Sequence, residues 1–180
     1  MTSRLLVDKI EGKSTSGTIQ MPSGHVIQTQ AYDIDTETTF TSTSFTDTGL
    51  SGTITPKFST SKIFMLVTFS NYATVSSSTY MWYTFRLART VGGTTTAIHN
   101  DTAVGSSLNI GWGNLSSAIS MENGTNACYS FLDSPSTTSQ ITYKVQGAGR
   151  SGTAITINDA SDHSHILLQE IAQLWQVNFM

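Results

Sequence analysis

The chain has 180 residues, enough for one well-cored domain with a modest extension and too few for a second independent core. Charged residues make up 12%, about half the roughly 25% usual in soluble globular domains, while Ser and Thr together supply 54 positions. A net charge of −3, with nine basic residues that form no cluster, excludes general attraction to nucleic acid or anionic lipid, and the single Cys128 excludes an intrachain disulfide and fits synthesis in a reducing cytoplasm.

Residues 1–24 differ from the rest. Leu5, Leu6, Val7 and Ile10 form a small apolar segment, and the polar, Gly-rich GKSTSGTIQMPSG follows. Such a stretch buries too little surface to fold alone, so it reads as an arm that docks onto another molecule; the alternative is a terminal edge strand laid on its own domain. Asp8 and Lys9 interrupt the apolar patch, and the longest clean apolar run is Ile63 to Val67. Neither an export signal nor membrane insertion is predicted.

From His25 to the C-terminus, residues 25–180, period-2 patterns recur at the spacing of sandwich strands. His25 to Tyr32 alternates, and LSGTITP ends at Pro56, where a missing N–H is tolerated. Ile63, Met65, Val67 and Phe69 share one face with Phe64 and Leu66 on the other, which predicts a central strand. Met81, Tyr83, Phe85 and Leu87 do the same on the next strand, and Val91-Gly92-Gly93-Thr94 predicts a tight hairpin. The stretch 104–126 is the least regular. Its Asn123-Gly124 predicts a second hairpin, joining Ala118–Met121 to Ala127–Leu132. Ile141, Tyr143 and Val145 then alternate, Gly147 to Gly152 turns the chain, and Thr153 to Ile157 forms another strand. The C-terminal segment fits either helix or strand over 166–175; strand is preferred for His163 to Ala172, where it closes a sheet edge.

About ten strands without a helix predict an all-β, two-sheet antiparallel β-sandwich, a jelly roll, with an immunoglobulin-type sandwich as the rival. Copies packed about an axis would bury strand edges that otherwise template aggregation.

The succession GHVIQTQ, TSTSFTDTGLSGTITPKFSTSKIFMLVTFS, FRLART, FLDSPSTTSQITYKVQGAGRSGTAITIN and SHILLQEIA resembles a group of bacteriophage virion proteins, especially from marine and freshwater phages, labelled tail-fibre or structural. RLLVDKIEGKSTSGTIQMPSGHVIQ is similar to the N-terminal lead-in of that group. The resemblance covers most of Leu5 to Ala172 and rests on strand and turn patterns. It implies a trimeric jelly-roll head on a phage particle, made in the host cytoplasm and located at the capsid or tail surface of the virion.

Motifs for chemistry are sparse. His163-x-His165, near Asp159 and Asp162, has metal-ligand spacing, and three chains at an axis would offer six imidazoles; the ordinary reading is a solvated turn entering the last strand. Asp33 with Asp35, or Asp159 with Asp162, are the carboxylate pairs that could be nominated for glycoside hydrolysis, but each lies in polar sequence that gives no reason for a raised pKa. Cys128 reads as a buried structural thiol. No cofactor and no enzyme activity is expected. Recognition is the more credible activity: Trp112, between Gly111 and Gly113, would stack on a sugar ring with Asn109 and Asn114 supplying hydrogen bonds, unless it packs into the core or a subunit seam. The expected function is a tail-fibre or receptor-binding head contacting host surface glycan, joined through its arm to a phage capsid or tail protein. The alternative is a capsid decoration or cement protein clamping the shell.

Overall fold

The computed structural model describes residues 23–78, 80–99, 109–113, 117–150 and 152–173. In chain order these form β1 (Val26–Ile34), β2 (Thr38–Phe40), β3 (Thr46–Ile54), β4 (Lys62–Ser78), β5 (Tyr80–Val91), β6 (Thr94–His99), β7 (Asn109–Gly113), β8 (Ile119–Asp133), β9 (Ile141–Gly149), β10 (Thr153–Ile157) and β11 (Ser164–Ile171), with a 3-10 turn at Asp159–Ser161. The predicted arm, with Leu5, Leu6, Val7 and Ile10, lies outside the described residues, as do Asn114 and Trp175.

β4 organises the first sheet. One of its edges pairs with β8 from Ile63 opposite Asp133 to Ser78 opposite Ile119; the other pairs first with β11 and then with β10. β1 lies outside β11, and β2 outside β10. The second sheet runs β3-β9-β5, with β6 and β7 sharing the far edge of β5, and every pairing in both sheets is antiparallel. Setting aside the short β2, β7 and β10, the remaining strands fall in the order first-eighth-third-sixth in one sheet and second-seventh-fourth-fifth in the other. That is the jelly-roll order, in which two Greek keys wrap one core.

Alternation explains the core. Ile63, Met65, Val67 and Phe69 of β4 point inward and are buried, as are Met81, Tyr83, Phe85 and Leu87 of β5 and Ile141, Tyr143 and Val145 of β9. Each such side chain removed from water contributes roughly 1.5–3 kcal/mol. Phe69 and Phe85 meet edge to face across the sheets at 4.8 Å, and Tyr129 and Tyr83 extend the aromatic cluster. The predicted hairpin at Gly92-Gly93 forms as expected: φ values of 55° and 82° are the paired positive angles a two-residue turn needs between right-twisted strands. The terminal segment is strand, not helix, from Ser164 to Ile171.

Two expectations are corrected. Asn123-Gly124 is not a hairpin: β8 runs unbroken through it, with Asn123 opposite Ala73 and Gly124 opposite Tyr72. The ladder offered by the 17-residue β4 overrides a local turn preference. Nor does the chain turn from Gly147: β9 runs on to Gly149, and because β9 belongs to the second sheet and β10 to the first, the chain crosses between layers only at Gly152, with φ 85°.

The sandwich has two distinct ends. At the near end lie the start of β1, the end of β11, the 55–61 loop, the Gly92-Gly93 turn and the 134–140 loop. Gly24 N donates to Ala172 O at 2.9 Å and Ala172 N to His25 O at 2.8 Å, so the first and last described segments are laced together at this end. The far end carries the passages from β4 to β5, β7 to β8 and β9 to β10.

Candidate functional site

The near end is closed by buried acids. Gln28, Glu170, Ile63 and Asp133 form one row across the first sheet, on its inner side. Glu170 is fully buried, and its carboxylate accepts hydrogen bonds from Lys57 N (2.8 Å), Phe58 N (3.2 Å) and Gln28 Nε2 (2.6 Å), pinning the 55–61 loop over the core. Asp133 accepts from Arg89 Nη1 on both oxygens (2.8 and 2.7 Å), from Tyr143 Oη (2.8 Å) and from Ser134 N (2.8 Å), tying β8 to β5 and β9. Burial, reinforced by the hydrogen bond to Asp133 and its charge, pushes the Tyr143 phenol far above its ordinary value. A buried acid must have its oxygens filled by donors, and both do: Glu170 by two backbone N–H groups and an amide, Asp133 by the Arg89 guanidinium, a phenol and a backbone N–H. They do structural work, and the sequence reading missed them.

His163 and His165 are brought together with Asp33, which lies within β1 rather than in a loop. His163 Nδ1 lies 3.1 Å and His165 Nδ1 3.5 Å from the same oxygen, Asp33 Oδ1. All three side chains are more than half exposed, so solvent screens the attraction. Asp159 and Asp162 sit instead by the 3-10 turn, beside a polar hollow of about 260 Å³ that Ser70, Tyr72 and Asn126 also line. Among the described residues no set of three or more His, Cys, Asp or Glu is arranged to hold a metal ion.

Asn109 and Trp112 lie on β7, whose backbone pairs with Thr84 and Met81 of β5. Gly113, opposite Tyr80, marks the far end of the sandwich, so β7 stands opposite the end where Gly24 and Ala172 meet. Tyr83 is core; Tyr80 and Trp82 face the other way and are half-buried, with Arg150 stacked on the Tyr80 ring at 4.7 Å.

Cys128 corrects a further expectation, because it is exposed. It stands opposite Thr68, and the alternation that turns Ala127 and Tyr129 inward turns Cys128 out. Burial pushes Tyr129 up to about 12 and raises Tyr83, against which Asn123 Nδ2 donates a hydrogen bond at 2.8 Å. On the outer side of the second sheet, burial pushes Asp47 up, but hydrogen bonds from Lys144 and Gln146 and the charges of Lys144 and Arg86 outweigh it and hold its pKa below the ordinary value. Among the described residues no helix is long and apolar enough to cross a membrane.

No protein-family model matches this sequence, and no curated protein matches it at significance. Solved structures with related architecture include the TNF protein Eiger from S. frugiperda, at 10% identity and a TM-score of 0.36, over 65% of this chain and 65% of that one. The infectious bursal disease virus Gx strain structure matches at 11% identity and a TM-score of 0.29, over 96% of this chain and 43% of that one. The subviral particle of infectious bursal disease virus VP2 matches at 11% identity and a TM-score of 0.25, over 96% and 42%. The chain thus spans less than half the length of the two viral proteins, and likenesses this distant carry no function across.

Proposed function

We propose that this protein is a non-enzymatic structural component of a bacteriophage virion, a homotrimeric tail-fibre or receptor-binding head held to a capsid or tail protein by residues 1–24 and contacting host surface glycan at its far end. The observation that carries this reading is the polarity of the sandwich. The arm leads into Gly24 at the near end, beside Ala172, while the β7 segment bearing Asn109 and Trp112 lies at the opposite end. A head anchored at one end and carrying the connections of β4 to β5, β7 to β8 and β9 to β10 at the other suits attachment, since loops on a rigid scaffold are where recognition is built. The sequence resemblance to phage virion proteins and the hydroxyl-rich, weakly charged composition support the same reading.

Quantitative mass spectrometry of purified virions tests it. A few to a few dozen copies per particle are expected; hundreds tracking the major shell protein would replace the fibre-head reading with shell decoration. Deleting residues 1–24 should leave a folded oligomer that no longer joins the particle. Collapse of the oligomer on that deletion would show that the arm belongs to the fold.

A further inference from the structure

We infer that the outer side of the first sheet carries a trough that binds a neutral glycan, a second place for the glycan contact of the proposal above; either can fail without the other. Thr68, Ser70 and Tyr72 of β4 alternate with the buried Phe69 and Asn71, so they turn outward. The passage from β10 to β11 stands beside them and walls two adjoining hollows, Asp159 and Asp162 lining one of about 260 Å³ and His163 the other of about 280 Å³. Ser70 and Asn126 belong to both. The floor runs along β4 from Tyr72 to Thr68 and along β8 from Gly124 to Cys128, which is about 13 Å at the usual rise of a strand. Each hollow is just under, and the pair within, the roughly 300–1,000 Å³ of small-ligand sites. Ser70 Oγ, where they join, has no hydrogen-bond partner among the described residues.

The groups that line the trough are those that hold sugar hydroxyls. An aromatic ring meets the C–H face of a pyranose, a carboxylate accepts from neighbouring hydroxyls, and an amide both donates and accepts. Tyr72 supplies the ring. It leans over Gly124, where a Cβ would stand 3.6 Å from Tyr72 Cδ2. Its hydroxyl donates to Glu122, which fixes the ring and raises the phenol above its ordinary value. Glycine inside a strand often marks a spot where a ligand or another backbone comes close, which gives Gly124 a role other than a turn. Asp159 and Asp162 supply the carboxylates and Asn126 the amide, with Asn126 and Asp162 exposed. Charge narrows the ligand further. No Lys or Arg lines either hollow, and the one histidine, His163, already faces Asp33 at 3.1 Å. A sulfated, sialylated or uronate sugar would meet like charge here, and an uncharged one would not.

The test is binding of the full chain to an array of neutral and acidic glycans, displayed densely because a trough open to water holds a single copy weakly. The best neutral binder is then titrated in solution and followed by NMR of the tyrosine rings. Neutral oligosaccharides should bind in preference to acidic ones and shift the Tyr72 ring signals, assigned with Tyr72→Phe. Asp162→Asn and Tyr72→Ala should each weaken binding by about tenfold or more with an unchanged circular-dichroism spectrum, and Ser51→Ala on the second sheet should not. Asp162→Asn, an isosteric change at an exposed residue, decides the matter if Tyr72→Ala does not fold. Trp112→Ala separates the two places. A loss seen with Trp112→Ala and not with Asp162→Asn overturns this inference and sustains the far-end contact; the reverse sustains this one and removes the other for that glycan. No binding to any neutral glycan, or stronger binding to acidic ones, overturns it as well. So does binding abolished by EDTA, since the aspartates would then be holding a cation instead of the sugar.

Discussion

Truncating Glu170 to Ala is expected to remove the clamp that holds the 55–61 loop over the near end of the core. Three donors, Lys57 N, Phe58 N and Gln28 Nε2, lose their shared carboxylate. Hydrogen bonds to a charged group are worth roughly 1.5–3 kcal/mol each, and a buried donor left unpaired costs roughly 1–3 kcal/mol. The sum overstates the loss, because Gln28 keeps Thr55 O as an acceptor at 2.7 Å and Lys57 is an exposed residue. A net destabilisation of about 3–5 kcal/mol remains, which for a chain of this length lowers Tm by about 10 °C. Urea titration and thermal melts followed by circular dichroism measure it. Glu170→Gln keeps the shape but turns an amide group toward a backbone N–H, so it should fall between Ala and the parent. Gln28→Ala should be milder, with a double-mutant cycle showing coupling between the two positions. A Glu170→Ala protein that melts within about 2 °C of the parent would refute the clamp.

Gly147→Ala should destabilise by about 1–3 kcal/mol, since a Cβ there would stand 2.3 Å from Phe40 Cζ and 3.2 Å from Phe85 Cε1; adding Phe40→Leu should recover part of the loss in melts. Asp133→Ala should cost about 3–5 kcal/mol by stranding Arg89, read by urea unfolding, with Arg89→Met in the same background restoring part of it. The raised pKa of Tyr129 makes the unfolded chain lose its proton first, so the stability it contributes is full below pH 10 and falls as pH rises toward 12; Tyr129→Phe should flatten that alkaline fall in Tm while changing little at pH 7. The lowered pKa of Asp47 acts at the other extreme, where its contribution is present above about pH 4 and lost as pH falls below it, and Lys144→Met should reduce the acid dependence.

The sandwich was legible where alternation and turn chemistry agreed, as in β4, β5 and the Gly92-Gly93 turn. It was illegible where a local preference met a stronger distant partner: Asn123-Gly124 favours a turn, yet β4 holds it extended. Cys128 was readable from parity alone, since Ala127, Tyr129 and Phe131 share the other side of β8, but the general habit of cysteine to be buried pointed the wrong way. Glu170 carried a signal too, occupying the inward parity of Ile166 and Leu168, where a carboxylate demands partners. The meeting of His163 with Asp33 had no such signal. They are 130 positions apart, and only the pairing of β1 with β11 joins them.

The lacing of Gly24 to Ala172 makes the described fold nearly circular in space. A short Gly-Ser bridge between those residues can close the ring, and new ends opened at the solvent-exposed Gly92-Gly93 would emerge from the same pole. A permutant of this kind would keep every strand pairing while detaching the arm from the order of synthesis, so that tethering and folding become separately adjustable.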